Sequence, residues 1–163
     1  MKQMLLVPAL ILLLGSPLRG QNVIIDEGTF TVYRAGQVIG TEQFSISRVG
    51  SASEGTVLAQ GTITRGPVEI RTLLETSRQW EPLDYQNATG GDDASQVRLF
   101  VDGRRLIART TNAEGEGTRE FRPGDATVVL DPNIAFLYHF AAAQIGVDLL
   151  TVIAPTEGRQ TRL

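Results

Sequence analysis

The sequence predicts a mainly β protein with one helix (an α+β chain): a curled antiparallel meander, or half-barrel, covered or plugged by a buried helix at about 132–145. Three observations lead there. Beyond residue 26, short runs of apolar–polar alternation succeed one another, each closed by glycine, proline or Asx turn chemistry. The runs are joined by connections of a few residues, the habit of antiparallel neighbours. One segment alone abandons period two for a nearly all-round apolar stretch.

The first segment is an address. Lys2 precedes an apolar run over residues 4–14, broken by Pro8, and Ser16-Pro17-Leu18-Arg19-Gly20 then turns small and polar. That order is that of a secretory signal peptide, with cleavage expected near Gly20. The run is well short of the ~20 residues that span a bilayer. The expectation is a single domain from residue 21, periplasmic or secreted, with no transmembrane segment in the mature chain.

The strands come in order. Residues 29–34 alternate, Ala35-Gly36 turns, and residues 38–49 form a longer strand bearing Phe44 and Ile46. A small-residue loop spans 50–55, and residues 56–65 alternate until Gly66-Pro67. Residues 68–80 place Val68, Ile70, Thr72 and Leu74 on one side and Glu69, Arg71 and Glu75 on the other, a half-buried pattern. Residues 83–88 make a short strand before the loop at 89–93. Residues 96–101 and 104–111 flank Asp102-Gly103, for which a type I′ turn is expected. The polar turn 112–117 leads to a strand at 118–122, and Pro123-Gly124-Asp125 to one at 127–130. Roughly eight consecutive strands result, with no internal repeat.

Residues 132–145 are the exception. Asp131 suits an N-cap, Pro132 the first helical position and Gly146 a left-handed stop. Phe136 and Phe140, one turn apart, are expected to point into the concavity. Residues 147–154 then read as a strand, Glu157-Gly158 as a turn and 159–163 as the start of another strand. The domain is expected to continue past Leu163.

Composition narrows the function. Apolar residues make up 42% and charged residues 20% of 163, ordinary globular usage. Net charge is −3, with no basic cluster, so a nucleic-acid partner is not expected. Absence of cysteine excludes disulfides, thiolate zinc sites and cysteine nucleophiles. After Lys2 and Arg19 every basic residue is arginine, the mark of a GC-rich bacterial genome. The sequon Asn87-Ala88-Thr89 reads as chance.

Phe30-Thr31-Val32-Tyr33-Arg34-Ala35-Gly36-Gln37-Val38-Ile39-Gly40 resembles the opening hairpin of bacterial periplasmic half-barrel domains of unknown function, relatives of lipoprotein-carrier and glycolipid-binding proteins. Trp80-Glu81-Pro82-Leu83-Asp84-Tyr85 is similar to their mid-domain strand restart. Asp131-Pro132-Asn133-Ile134-Ala135-Phe136-Leu137-Tyr138 is similar to their helix start. The resemblance covers most of 27–153. It implies a cupped sheet whose apolar concave face sometimes holds acyl chains, and it implies no catalytic residue.

No catalytic, metal or cofactor site is expected from the residues themselves. His139 would need helical partners at 135 or 143, and both are alanine, so it reads as a core or pocket-rim histidine. Asp92 and Asp93 come after two glycines as turn residues, without the spaced oxygens of a calcium loop. Gly115 and Gly117 lack the lysine and helix of a phosphate loop. Glu114, Glu116 and Glu120 read as solvated charge, and Ser45, Ser47, Ser51 and Ser53 stand near no base and in no nucleophile elbow. The aromatic residues remain. Tyr33, Phe44, Trp80, Phe100, Phe136, Tyr138 and Phe140 are the candidate lining of an apolar ligand site, with Tyr85 beside them, or are simply core. The leading expectation is a non-enzymatic periplasmic protein that binds or carries a lipid, an acyl chain or another apolar small molecule. The alternative is an envelope interaction or assembly module acting through sheet-edge pairing. Oligomeric state stays open.

Overall fold

The structure is a computed structural model and describes residues 22–51 and 55–163. The expected signal peptide lies outside them, as does the middle of the loop at 50–55. Eight strands run as an antiparallel meander in sequence order: β1 (Val23–Arg34), β2 (Gln37–Val49), β3 (Thr56–Arg65), β4 (Val68–Thr76), β5 (Pro82–Thr89), β6 (Ser95–Asp102), β7 (Arg105–Asn112) and β8 (Gly115–Phe121). The sheet is not closed into a barrel, because β1 and β8 do not pair. The chain then leaves it. β9 (Ala126–Val129) joins a second sheet of order β11–β10–β9, parallel to β10 (Leu150–Ala154), which pairs antiparallel with β11 (Arg159–Arg162). The parallel pair requires the long crossover between β9 and β10, and that crossover carries the one α-helix among the described residues, α1 (Tyr138–Ala142).

Period two sets which face is buried. Ile46 on β2, Val57, Ala59 and Ile63 on β3, Leu74 on β4, Tyr85 on β5, Leu99 on β6, Ala108 on β7 and Phe121 on β8 all enter one core. Ile134, Phe136, Leu137 and Phe140 from the crossover and Val129 and Ile153 from the second sheet fill it from the other side. Phe136 and Phe140 are each 1% exposed, as their spacing predicts. Gly61 on β3 makes room for Phe136: a Cβ there would lie 2.5 Å from the ring.

The turns differ from expectation in informative ways. Ala35 and Gly36 both have positive φ (49° and 79°), so the type I′ turn is this one. Asp102 pairs with Arg105, leaving Gly103-Arg104 as the two-residue turn; only Gly103 has positive φ, the pattern of type II′. The turn expected over 112–117 shrinks to Ala113-Glu114, where the Asn112 side chain accepts the Glu114 N–H at 3.0 Å. The strand expected to reach Trp80 stops at Thr76, because Ser77 Oγ accepts the N–H groups of Gln79 and Glu81 and folds the chain back.

The largest correction concerns the helix, expected over 132–145 and found as α1 alone. Asn133 has φ 66°, outside the helical region, and Asp131 does not cap. Its carboxylate accepts the Tyr85 hydroxyl at 2.5 Å and both the N–H and hydroxyl of Thr156. Glu42 on β2 instead accepts the N–H groups of Ala135 and Phe136, in the turn ahead of α1, at 2.9 and 2.7 Å, and α1 itself has no side-chain cap.

Candidate functional site

The seven aromatic residues separate into three groups. Phe44, Phe136, Phe140 and Trp80 meet at the core. Phe44 stacks on Phe136 with ring centres 6.3 Å apart, and Trp80 packs edge-on against Phe140 at 5.6 Å. Trp80 holds a positive φ of 69°, unusual for a bulky residue, and also packs against the His139 ring at 5.7 Å. Phe100 lies on the opposite face of the sheet, because it alternates with the buried Val97 and Leu99. There the guanidinium groups of Arg98 and Arg109 cover it, 5.9 and 5.1 Å from its centre. Tyr33, beside the β1–β2 turn, and Tyr138, on α1, are each 63% exposed. The seven therefore do not surround one space. Tyr85 is fully buried in the core.

Two buried polar clusters, both unread from the sequence, hold the layers together. Tyr85 donates to Asp131 and accepts from Asn87 Nδ2 at 3.2 Å. Burial, then the Asp131 charge beside it, push the Tyr85 phenol well above its ordinary value. Burial also raises the Asp131 carboxyl, outweighing the hydrogen bonds from Tyr85 and Thr156 that lower it. Tyr85 and Asp131 are 0% and 2% exposed. The pair has no substrate-facing side; it ties β5 to the 3-10 turn Pro155–Glu157 directly after β10. Glu42, equally buried, ties β2 to the start of the helical crossover. Its signal was available: a lone carboxylate between Gly40 and Phe44 on the apolar face of its strand.

Outside the core, an open groove of about 570 Å³ crosses the face opposite Phe136. Gln43, Gln60, Arg71 and Gln86 line it together with Leu73 and Ala88, a lining of mixed polarity. Among the described residues, no group of three or more His, Asp or Glu side chains could hold a metal ion. Among them, no helix is long and apolar enough to cross a membrane.

The two ends of the main sheet are treated differently. At β8, the Arg119 guanidinium donates to the Gly158 carbonyl, and just past the strand Gln160 exchanges hydrogen bonds with the Arg122 backbone, so the β10–β11 hairpin touches that end, although residues 115–120 stay exposed. At β1, one side pairs with β2 and, among the described residues, the other pairs with nothing. β1 is twelve residues long and exposed almost throughout, with Ile24 at 57%, Phe30 at 40% and Tyr33 at 63%. It contains no lysine and no proline, while Asp26, Glu27, Arg34 and a bulge at Ile25 interrupt its apolar run. Compared with protein-family models, with curated proteins and with solved structures, the chain has no match.

Proposed function

We propose that this chain is a non-enzymatic assembly module of the bacterial envelope, exported by its N-terminal signal, whose β1 edge pairs with a further strand. One observation carries the reading: a twelve-residue edge at β1, exposed almost throughout, whose outer side pairs with nothing among the described residues. Free N–H and C=O groups on such an edge template strand addition, main-chain bonds supplying affinity and alternate side chains specificity. The test is size-exclusion chromatography of native extract containing the wild type or Phe30→Lys, which sets a charge on the edge. The wild type should elute above monomer size and the variant as a monomer with its unfolding temperature within a few degrees. Equal elution of both contradicts the reading.

A second reading, binding of a lipid or acyl chain, is favoured by the row of rings from the core to the open side. Phe136 stacks on Phe44, and Phe44 on the half-exposed Phe30 with centres 5.0 Å apart. It predicts lipid in native mass spectra of protein taken from the periplasm. Lipid-free protein that leaves a hydrophobic dye dark contradicts it.

A further inference from the structure

We infer that the strand received by the β1 edge belongs to a second copy of this chain, joined antiparallel about a two-fold axis through Phe30. This rests on the reading of β1 as a pairing edge and names the partner. A two-fold axis normal to a sheet keeps each side chain on its own face, and residues directly opposite in a ladder share a face. Neighbouring residues do not share a face, since side chains alternate. Two identical strands can therefore be centred only on a residue, never between two, which leaves few registers.

Charge chooses among them. Centred on Phe30, the pairing sets Asp26 of each copy opposite Arg34 of the other, forming two ion pairs from one strand sequence. It also sets Thr29 opposite Thr31 twice, Glu27 opposite Tyr33 twice, and Phe30 opposite itself. Centred on Thr29, Arg34 faces Ile24 and Asp26 faces Val32. Centred on Gly28, Asp26 faces Phe30. Centred on Glu27, two carboxylates confront each other, and centred on Thr31, Arg34 faces Gly28. Only the Phe30 register joins opposite charges.

The backbone selects the same centre independently. β1 carries a bulge at Ile25, where the register with β2 skips from Ile24 to Asp26, and it ends at the Ala35 turn. The register shifts again between Val32 and Tyr33, but there the extra residue is Ile39 on β2, so β1 itself has no inserted residue over 26–34, whose middle residue is Phe30. A bulge ends regular pairing, so the length available for a ladder is the length that this register uses. The side chains are placed to take part. Arg34 has no ion pair among the described residues, and Asp26 is half exposed, its Oδ2 3.8 Å from His139 Nδ1. On the core-side face, the Phe30–Phe30 contact would carry the row Phe30–Phe44–Phe136 across the axis into its symmetry mate. Such an interface is isologous and closes on itself, which disposes of the exposed edge in both chains.

The experiment uses purified protein lacking only the signal peptide. Light scattering should give a dimer that dissociates on dilution. Asp26→Arg and Arg34→Asp should each weaken it by tenfold or more, and the double exchange Asp26→Arg/Arg34→Asp should restore it. The register is read separately by cysteine, which the chain lacks. An oxidised mixture of Thr29→Cys and Thr31→Cys proteins should form a covalent dimer, because those positions are opposite. Either protein alone should not, since like positions then stand on a diagonal about 7–8 Å apart. A purified chain that is monomeric at every concentration overturns the inference. If Phe30→Lys still abolishes a larger species in native extract, edge pairing stands with a different partner. A dimer indifferent to both charge reversals, or disulfides formed equally by each single variant, overturns the register.

Discussion

Asp131 shows how far a residue's part can lie from its sequence neighbourhood. Beside Pro132 it has every local mark of a helix cap, yet its partners are Tyr85 and Thr156, 46 and 25 positions away. Nothing in a linear pattern ranks those contacts above the local one. Its burial has a signed consequence. A carboxyl whose folded pKa is raised favours the protonated form in the fold, so its contribution to stability is fully present below the ordinary value of about 3.9. That contribution is lost as pH rises through the raised folded value. Urea unfolding of the wild type and Asp131→Asn across this window should show the wild type losing stability relative to the variant as pH increases. A constant difference contradicts the assignment. Tyr85 has the same sign in the alkaline range: what the neutral phenol contributes is lost as pH climbs through its raised value. Glu42 is the complementary lesson, since a carboxylate on an apolar strand face stands out in the alternation pattern alone. Glu42→Ala leaves two N–H groups without their acceptor and should cost about 2–6 kcal/mol at 1–3 per group. Glu42→Gln, which keeps one acceptor oxygen, should cost less; equal losses would mean that the hydrogen bonds are incidental.

Among the elements, the strands were legible and the helix was not. Alternation located all eight strands of the meander, and β4 placed Thr72 and Leu74 inward and Arg71 outward as its pattern requires. Strand ends were less legible, because Ser77 and Asn112 end or begin turns through side-chain bonds that propensity does not register. The helix shortened for a tertiary reason. An apolar run this continuous satisfies either a helix or a plug, and the fold needed Ile134, Phe136, Leu137 and Phe140 as a plug. Of the seven candidate aromatic residues, spacing alone put Phe136 and Phe140 inside. It could not say which face of β6 Phe100 takes until the register was known. Phe136→Ala should cost about 3–5 kcal/mol, as for other buried phenylalanines. Gly61→Ala forces a methyl into the same ring and should cost about 1–3 kcal/mol. Combining Gly61→Ala with Phe136→Leu should cost less than the two separately, measured by denaturant unfolding. Strict additivity would mean that the two positions do not touch.

For the whole molecule, the meander explains why one edge differs from the other. A chain that lays down eight strands in sequence order finishes at β8, and its remaining residues hydrogen-bond to the β8 end through Gly158 and Gln160 while, among the described residues, only His139 comes near β1, at Asp26. The first strand is left with its outer side open, and its side chains mix apolar, β-branched and aromatic residues with the charges of Asp26, Glu27 and Arg34. The alternation in the sequence begins only at Thr29, so the length of this edge does not show there. The direct measurement is residue-resolved amide hydrogen exchange over residues 26–34, in concentrated and in dilute purified protein and in native extract. Every second amide of β1, those pointing away from β2, should exchange slowly in the assembled samples and fast in the dilute one, while β2 and β3 stay protected throughout. Outward amides that exchange equally fast in all three samples would contradict the claim that β1 is the surface through which this protein acts.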